Sequence, residues 1–193
     1  VTQSILWPVM MAGVIPSALG ANNPAINFGG GLLGLGVGLG GTLGITSKHA
    51  VTPGQAMAVY TAQSLGIGHG IWISALAAGD PQAAAGFATA GFFLGTGAGV
   101  ATAVWAKPSA GDMALIRSTT LWGGYLTGLS FFFVGTNSAI GGLIRIGTGV
   151  DLGLITGIVL AKFYETSRAR MNMINLGGYA GAVGGAMIGG MAL

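Results

Sequence analysis

Long apolar runs alternate with short polar groups along this chain, and the polar groups recur about every 29 residues. Each group contains a residue suited to cap a helix N-terminus, and three of these are followed by proline, which is favoured at the first helical position. About 22 to 25 mostly apolar residues follow each cap, enough to cross a hydrocarbon core of about 30 Å as a helix. Asp112 lies three residues after Ser109, so we expect a capping box there. The recurring cap residues are Asn23, Thr52, Asp80, Ser109, Ser138 and Ser167.

This spacing predicts an all-α fold, a polytopic integral membrane protein with about seven glycine-rich (GxxxG) transmembrane helices in tandem antiparallel hairpin repeats of about 29 residues per helix. The connections are short, so neighbouring helices are expected to be antiparallel. A transmembrane β-barrel is the alternative, although the apolar runs do not alternate cleanly as barrel strands do. A single transmembrane domain, 1–193, is predicted with helices at approximately 1–20, 24–46, 53–78, 81–106, 110–134, 139–164 and 168–192.

Glycines recur four residues apart within the predicted helices, a spacing that places them on one helix face. In lipid, such a face lets two helix backbones approach closely. The glycine positions alternate between two helix types with a period of about 57 residues, as a duplicated hairpin would. We predict that these glycines pack the helices of this chain together or face other subunits, with segment 168–192 the best candidate for a subunit contact. The predicted helix-packing glycines are Gly36, Gly40, Gly91, Gly95, Gly99, Gly124, Gly128, Gly149, Gly153, Gly157, Gly177, Gly181, Gly185 and Gly189.

The composition argues against a water-soluble fold. Charged residues make up 6% of the 193 residues, whereas a soluble domain carries about 25%, so membrane lipid is the expected partner. The sequence contains no cysteine, which excludes disulfides and thiolate metal sites. The two histidines, His49 and His69, lie towards opposite sides of the predicted membrane, so we expect no metal site within the chain. No cofactor and no nucleic-acid partner is expected either.

Basic residues are concentrated in alternate connections between the predicted helices. Lys48, Lys107 and the range 162–170 follow the second, fourth and sixth segments, whereas the intervening connections carry asparagine or aspartate. By the positive-inside rule, the basic side is predicted to be cytoplasmic.

Asp151 lies near the middle of segment 139–164, with Arg145 on the same helix. An ionisable residue inside a membrane is costly and is a functional candidate by default. Arg117, on the antiparallel neighbour, lies at a depth from which its long side chain can reach Asp151. We therefore predict an ion pair of Asp151 with Arg117 or Arg145, which either fixes the helix register or acts in a proton or ion relay.

Further polar residues cluster in the inner halves of three predicted helices of the same type. They either line a cavity open to the inner side or form hydrogen bonds between helices, which is the commoner use. These residues are Gln55, Gln63, Arg117, Ser118, Thr119, Thr120, Asn172 and Asn175.

Packing glycines are abundant, and no Ser-His-Asp, Cys-His or paired-carboxylate constellation is present. We therefore predict no enzyme activity and no catalytic, cofactor-binding or metal-binding residues. The predicted function is a structural or scaffold membrane subunit that anchors or builds a larger complex, as a homo-oligomer or with other membrane subunits. The alternative is a channel or transporter with an ionisable intramembrane site around Asp151, Arg117 and Arg145.

Overall fold

A computed structural model of the protein describes residues 50–77, 81–131 and 138–191, together with scattered positions between 14 and 47. This part of the chain is all-α and contains no strand, so the β-barrel alternative does not hold for it. The predicted helices at 1–20 and 24–46 lie outside the described residues, apart from those scattered positions.

The described ranges contain five α-helices. Helix α1 spans Pro53–Ala77, α2 spans Pro81–Ala101, α3 spans Ala110–Leu129, α4 spans Ala139–Phe163 and α5 spans Arg168–Met191.

A π-helical turn, Thr102–Ala106, extends α2 where the sequence predicted a continuous α-helix. Lys107 ends this turn with a left-handed backbone at φ 47°. A residue in that conformation closes many helix C-termini, although it is more often glycine than lysine. The chain therefore turns sharply between α2 and α3.

Side-chain caps explain where several helices begin. The side chain of Ser109 accepts a hydrogen bond from the Asp112 backbone N–H, and the Asp112 carboxylate accepts one from Ser109, so the predicted capping box is confirmed. Thr52 and Gln55 exchange the same pair of hydrogen bonds at the start of α1. Four recurring cap residues accept a backbone N–H three residues further on: Thr52, Ser109, Ser138 and Ser167.

Helices α1 and α2 form an antiparallel hairpin in which the two backbones touch. A Cβ atom at Gly91 would overlap the carbonyl oxygen of Gly66, and one at Gly95 would overlap that of Ala62. At Gly99 a Cβ atom would lie 2.6 Å from a backbone Cα of α1. Only hydrogen fits at these positions, so three glycines spaced by four residues set the distance between the helices.

Helices α3 and α4 form a second antiparallel hairpin with the same kind of contact. A Cβ atom at Gly149 would overlap the carbonyl oxygen of Gly123, and one at Gly153 would overlap that of Thr119. At Gly157 a Cβ atom would lie 2.7 Å from a backbone Cα of α3. The glycine face of α4 therefore lies directly on α3.

The N-termini of α1, α3 and α5 lie at one end of the structure. A Cβ atom at Gly54 would overlap the carbonyl oxygen of Pro108, immediately before α3. A Cβ atom at Gly111 would likewise overlap the carbonyl oxygen of Thr166, immediately before α5. These three helices therefore run parallel, and α2 and α4 return in the opposite direction.

Two described helical stretches, Gln82–Ala106 and Ile140–Phe163, are long and apolar enough to cross a membrane by length and composition. Only 28% of the first apolar window and 17% of the second are buried inside the structure. Their apolar side chains therefore point mostly outwards.

Paired substitutions within α2 test the backbone contact. Gly95→Ala should lower the free energy of unfolding by about 1–3 kcal/mol, the usual cost of overpacking, because the added methyl group meets the backbone of α1. Gly97→Ala is the matched control, since a Cβ atom there has no neighbour within 4 Å among the described residues. It should change stability by less than about 0.5 kcal/mol. Equal losses in detergent unfolding titrations would contradict the packing.

Candidate functional site

A cavity of about 470 Å³ lies between α1, α3 and α4. This volume falls within the range of about 300–1,000 Å³ that is typical of small-molecule sites. Most of the wall is apolar, and its polar members are Tyr60, Thr61, Ser64, His69, Trp72, Arg117 and Thr120.

At the edge of this cavity, His69 on α1 contacts Asp151 on α4. The His69 Nε2 atom lies 2.8 Å from Asp151 Oδ1, and its Nδ1 atom lies 2.8 Å from the carbonyl oxygen of Leu65. Next along α1, the Trp72 ring covers Gly147, where a Cβ atom would lie 2.8 Å from an indole carbon. The two contacts thus connect the hairpins along antiparallel helices.

Donor and acceptor accounting shows that the His69–Asp151 pair holds a proton. A carbonyl oxygen can only accept, so the Nδ1 atom of His69 must donate to Leu65. The bond between Nε2 and Oδ1 then needs a second proton, carried either by the imidazole or by the carboxyl group. Imidazolium with carboxylate and neutral imidazole with carboxylic acid both satisfy the geometry, and both leave the pair without net charge.

The pair is also open to exchange. The side chains of His69 and Asp151 are 31% and 41% exposed, and His69 lines the cavity. A proton held between the two rings of atoms is therefore accessible from outside the helix contact.

The arginines lie elsewhere, which corrects the expected pairing of Asp151. The guanidinium carbon of Arg117 lies 4.9 Å from the centroid of the Tyr60 ring. That of Arg145 lies 5.4 Å from the centroid of the Phe131 ring. The contact of Asp151 is made by His69 instead. A role of these residues in a relay stays a prediction.

Helix rotation explains the difference. Gly149 and Gly153 both face α3. Asp151 is two residues from each, which is a rotation of about 200° at 3.6 residues per turn. Its side chain therefore points away from α3, where Arg117 lies, and towards α1. Depth in the membrane alone could not distinguish these two directions.

The predicted polar cluster forms mainly hydrogen bonds between helices. Ser118 and the Trp122 indole both donate to Oδ1 of Asn175, at 2.6 and 3.0 Å. Gln55 donates to the Ala103 carbonyl oxygen at 3.0 Å. Gln63 donates to Thr96 at 3.1 Å. Thr119 and Thr120 donate to carbonyl oxygens of their own helix, and Asn172 is exposed. Of this cluster, Arg117 and Thr120 line the cavity.

The predicted packing glycines fall into two groups. Those of α2 and α4 lie against backbone atoms of α1 and α3, as described above, and a Cβ atom at Gly124 would lie 2.8 Å from the Val150 side chain. Gly189 lies in α5. Within the described part of the chain, a Cβ atom would meet nothing within 4 Å at Gly36, Gly40, Gly128, Gly177, Gly181 and Gly185.

Thr61 and Trp72 were missed as site residues because nothing in their spacing marks them. The Thr61 side chain is buried and only 6% exposed. Its Oγ1 atom and the buried Nε1 atom of Trp72 have no hydrogen-bond partner among the described residues. Both residues line the cavity.

Comparison with known proteins finds no matching family model, curated protein or solved structure. In the part of the chain that the structure describes, no three His, Asp or Glu side chains gather as metal ligands. The function therefore has to be argued from the surface and the cavity.

A double-mutant cycle tests the contact between the hairpins. His69→Ala and Asp151→Ala should show a coupling of about 1 kcal/mol in unfolding titrations, because each removes the other's hydrogen-bond partner. Arg117→Ala combined with Asp151→Ala is the control and should be additive within about 0.5 kcal/mol. Coupling to Arg117 in place of His69 would contradict the observed pairing.

Proposed function

We propose that this chain is a multi-pass membrane protein whose glycine-packed hairpins serve as a scaffold subunit of a larger membrane complex. The support lies in a close-packed interior of small residues combined with an apolar exterior. Such an exterior is expected where the surrounding solvent is lipid.

The outer faces of α2 and α4 carry this proposal. On α2, Phe93 is 60% exposed and Leu94 is 76% exposed. On α4, Leu152 and Ile155 are 59% and 58% exposed. An exposed apolar surface of this extent would drive aggregation in water, whereas lipid tails cover it at no cost.

The positions of the contacts support the proposed duplication of a hairpin. Gly149, Gly153 and Gly157 each follow a glycine of α2 by 58 residues, and they make the equivalent approach to the preceding helix. Their contact positions on α3 follow those on α1 by 57 residues, as with Gly123 and Gly66. Two copies of one hairpin, each closed by glycine, account for both sets of contacts.

Helix α5 supports the proposed assembly. Its Met173, Leu176 and Val183 side chains are 69%, 61% and 60% exposed. Glycine positions on this helix, such as Gly181, have no Cβ neighbour within 4 Å among the described residues. We propose that α5 contacts a second copy of the chain or another membrane subunit.

Native mass spectrometry of the gently extracted protein tests the scaffold role. The wild type should appear as a defined oligomer or hetero-complex, and Gly181→Leu should release a folded monomer because the added side chain separates the backbones. Gly97→Leu on α2 is the matched control and should leave the assembly intact. A wild-type protein that is already a monomer would contradict the proposal.

A second candidate function, transport or conduction, is favoured by the proton-bearing His69–Asp151 pair. Ionisable pairs inside membranes are the usual elements of proton relays. Here the pair lies beside a cavity and is partly exposed, so a proton can enter and leave it. We propose proton movement as the specific activity of this alternative.

Proton flux into liposomes tests this alternative. Asp151→Asn keeps a side chain that can hydrogen-bond to His69 but removes the exchangeable carboxyl proton. Flux should fall at least about tenfold, because a relay loses its carrier, while circular dichroism shows an intact fold. Glu165→Gln, in the exposed connection before α5, is the control and should retain full flux. Equal flux in all three proteins would contradict a relay.

A further inference from the structure

The cavity between the hairpins contains hydrogen-bond donors that the described protein does not satisfy. The hydroxyl of Thr61 is 94% buried with its residue and unpartnered, and so is the buried indole N–H of Trp72. Buried polar groups in folded proteins nearly always have a partner. Two orphan groups that line one cavity indicate that something else supplies the acceptors.

Arg117 adds a positive charge to the same cavity. Its guanidinium group rests on the Tyr60 ring, and among the described residues no carboxylate pairs with it. The planar guanidinium has five N–H donors and no acceptor. A charge in these apolar surroundings is stabilised when an anion binds opposite it.

The other polar groups of the cavity are already engaged. Ser64 donates to the Tyr60 carbonyl oxygen, and Thr120 donates to that of Ile116. Both ring nitrogens of His69 have partners. The unused hydrogen-bonding capacity therefore consists mainly of donors with one positive charge, which fits an anionic acceptor and not a cation.

The remaining wall selects the rest of the ligand. Leu65, Ile71, Leu121, Leu143, Ile146 and Val150 line the cavity. These side chains offer only apolar contact, so a compact, fully hydrated anion would leave most of the wall uncovered. An apolar chain that ends in one carboxylate satisfies both the donors and the wall.

We propose that this cavity binds a single-chain carboxylate amphiphile, with its carboxylate at Arg117, Thr61 and Trp72 and its apolar chain against the leucine and isoleucine side chains. The carboxylate matches the bidentate geometry of a guanidinium. This binding site is independent of the scaffold role, since it requires only the docking of the two hairpins.

Quenching of tryptophan fluorescence by 11-bromoundecanoate tests the site in the full chain reconstituted in lipid nanodiscs. Bromine quenches nearby indoles, so binding beside Trp72 should give a saturable component above the linear quenching caused by partition into lipid. Trp72→Phe should remove that component. The matched probe 11-bromoundecanol lacks the carboxylate and should give linear quenching only.

Variants identify the carboxylate contacts. Arg117→Gln should weaken the saturable binding by about tenfold or more, because it removes the charge-assisted bonds, whereas Arg145→Gln should leave it unchanged. Thr61→Val, which keeps the shape of the side chain, should weaken it several-fold and decides the question if Arg117→Gln fails to fold. Saturable binding of the alcohol, or wild-type affinity in both cavity variants, would overturn the proposal. Cross-linking of Trp72 to residues 1–49 of the same chain, in place of the probe, would also overturn it.

Discussion

Contact between helix backbones at glycine is the constraint on which the rest of this structure depends. At Gly91, Gly95 and Gly99, and again at Gly149, Gly153 and Gly157, a methyl group would collide with the preceding helix. With no side chains between them, the helices of each hairpin have one permitted distance and register. The large apolar side chains are consequently left on the outside, where lipid rather than protein is the natural neighbour.

The same constraint creates the candidate site. Because the glycine face of α4 is turned towards α3, Asp151 is turned the opposite way and meets His69 on α1. The hairpins are flush within themselves but meet each other through bulkier groups, such as Trp72 on Gly147. Packing through larger side chains leaves space, and the cavity with Arg117 lies between the hairpins and not within either of them.

Local signals carried the prediction of the all-α fold and of its caps. Ser109 and Asp112 interact through adjacent backbone groups, so their spacing alone predicts the capping box. The partner of Asp151 depends on the relative rotation of two helices 82 residues apart in sequence. Depth placed Arg117 within reach, but the positions of Gly149 and Gly153 around the helix would have excluded it. Thr61 has no such signal, because its importance lies in a missing hydrogen bond that only the packed structure reveals.

The central claim is that two glycine-packed hairpins dock through His69 and Asp151 within the membrane. The chain has two histidines and its aspartates are Asp80, Asp112 and Asp151, so selective labels give few signals. Solid-state NMR in liposomes can measure dipolar dephasing of ¹⁵N-histidine by ¹³C-aspartate. The 2.8 Å hydrogen bond predicts strong dephasing of one histidine ring nitrogen that disappears in Asp151→Asn. Absence of dephasing in the wild type, or its persistence in the variant, would contradict the docking of the hairpins.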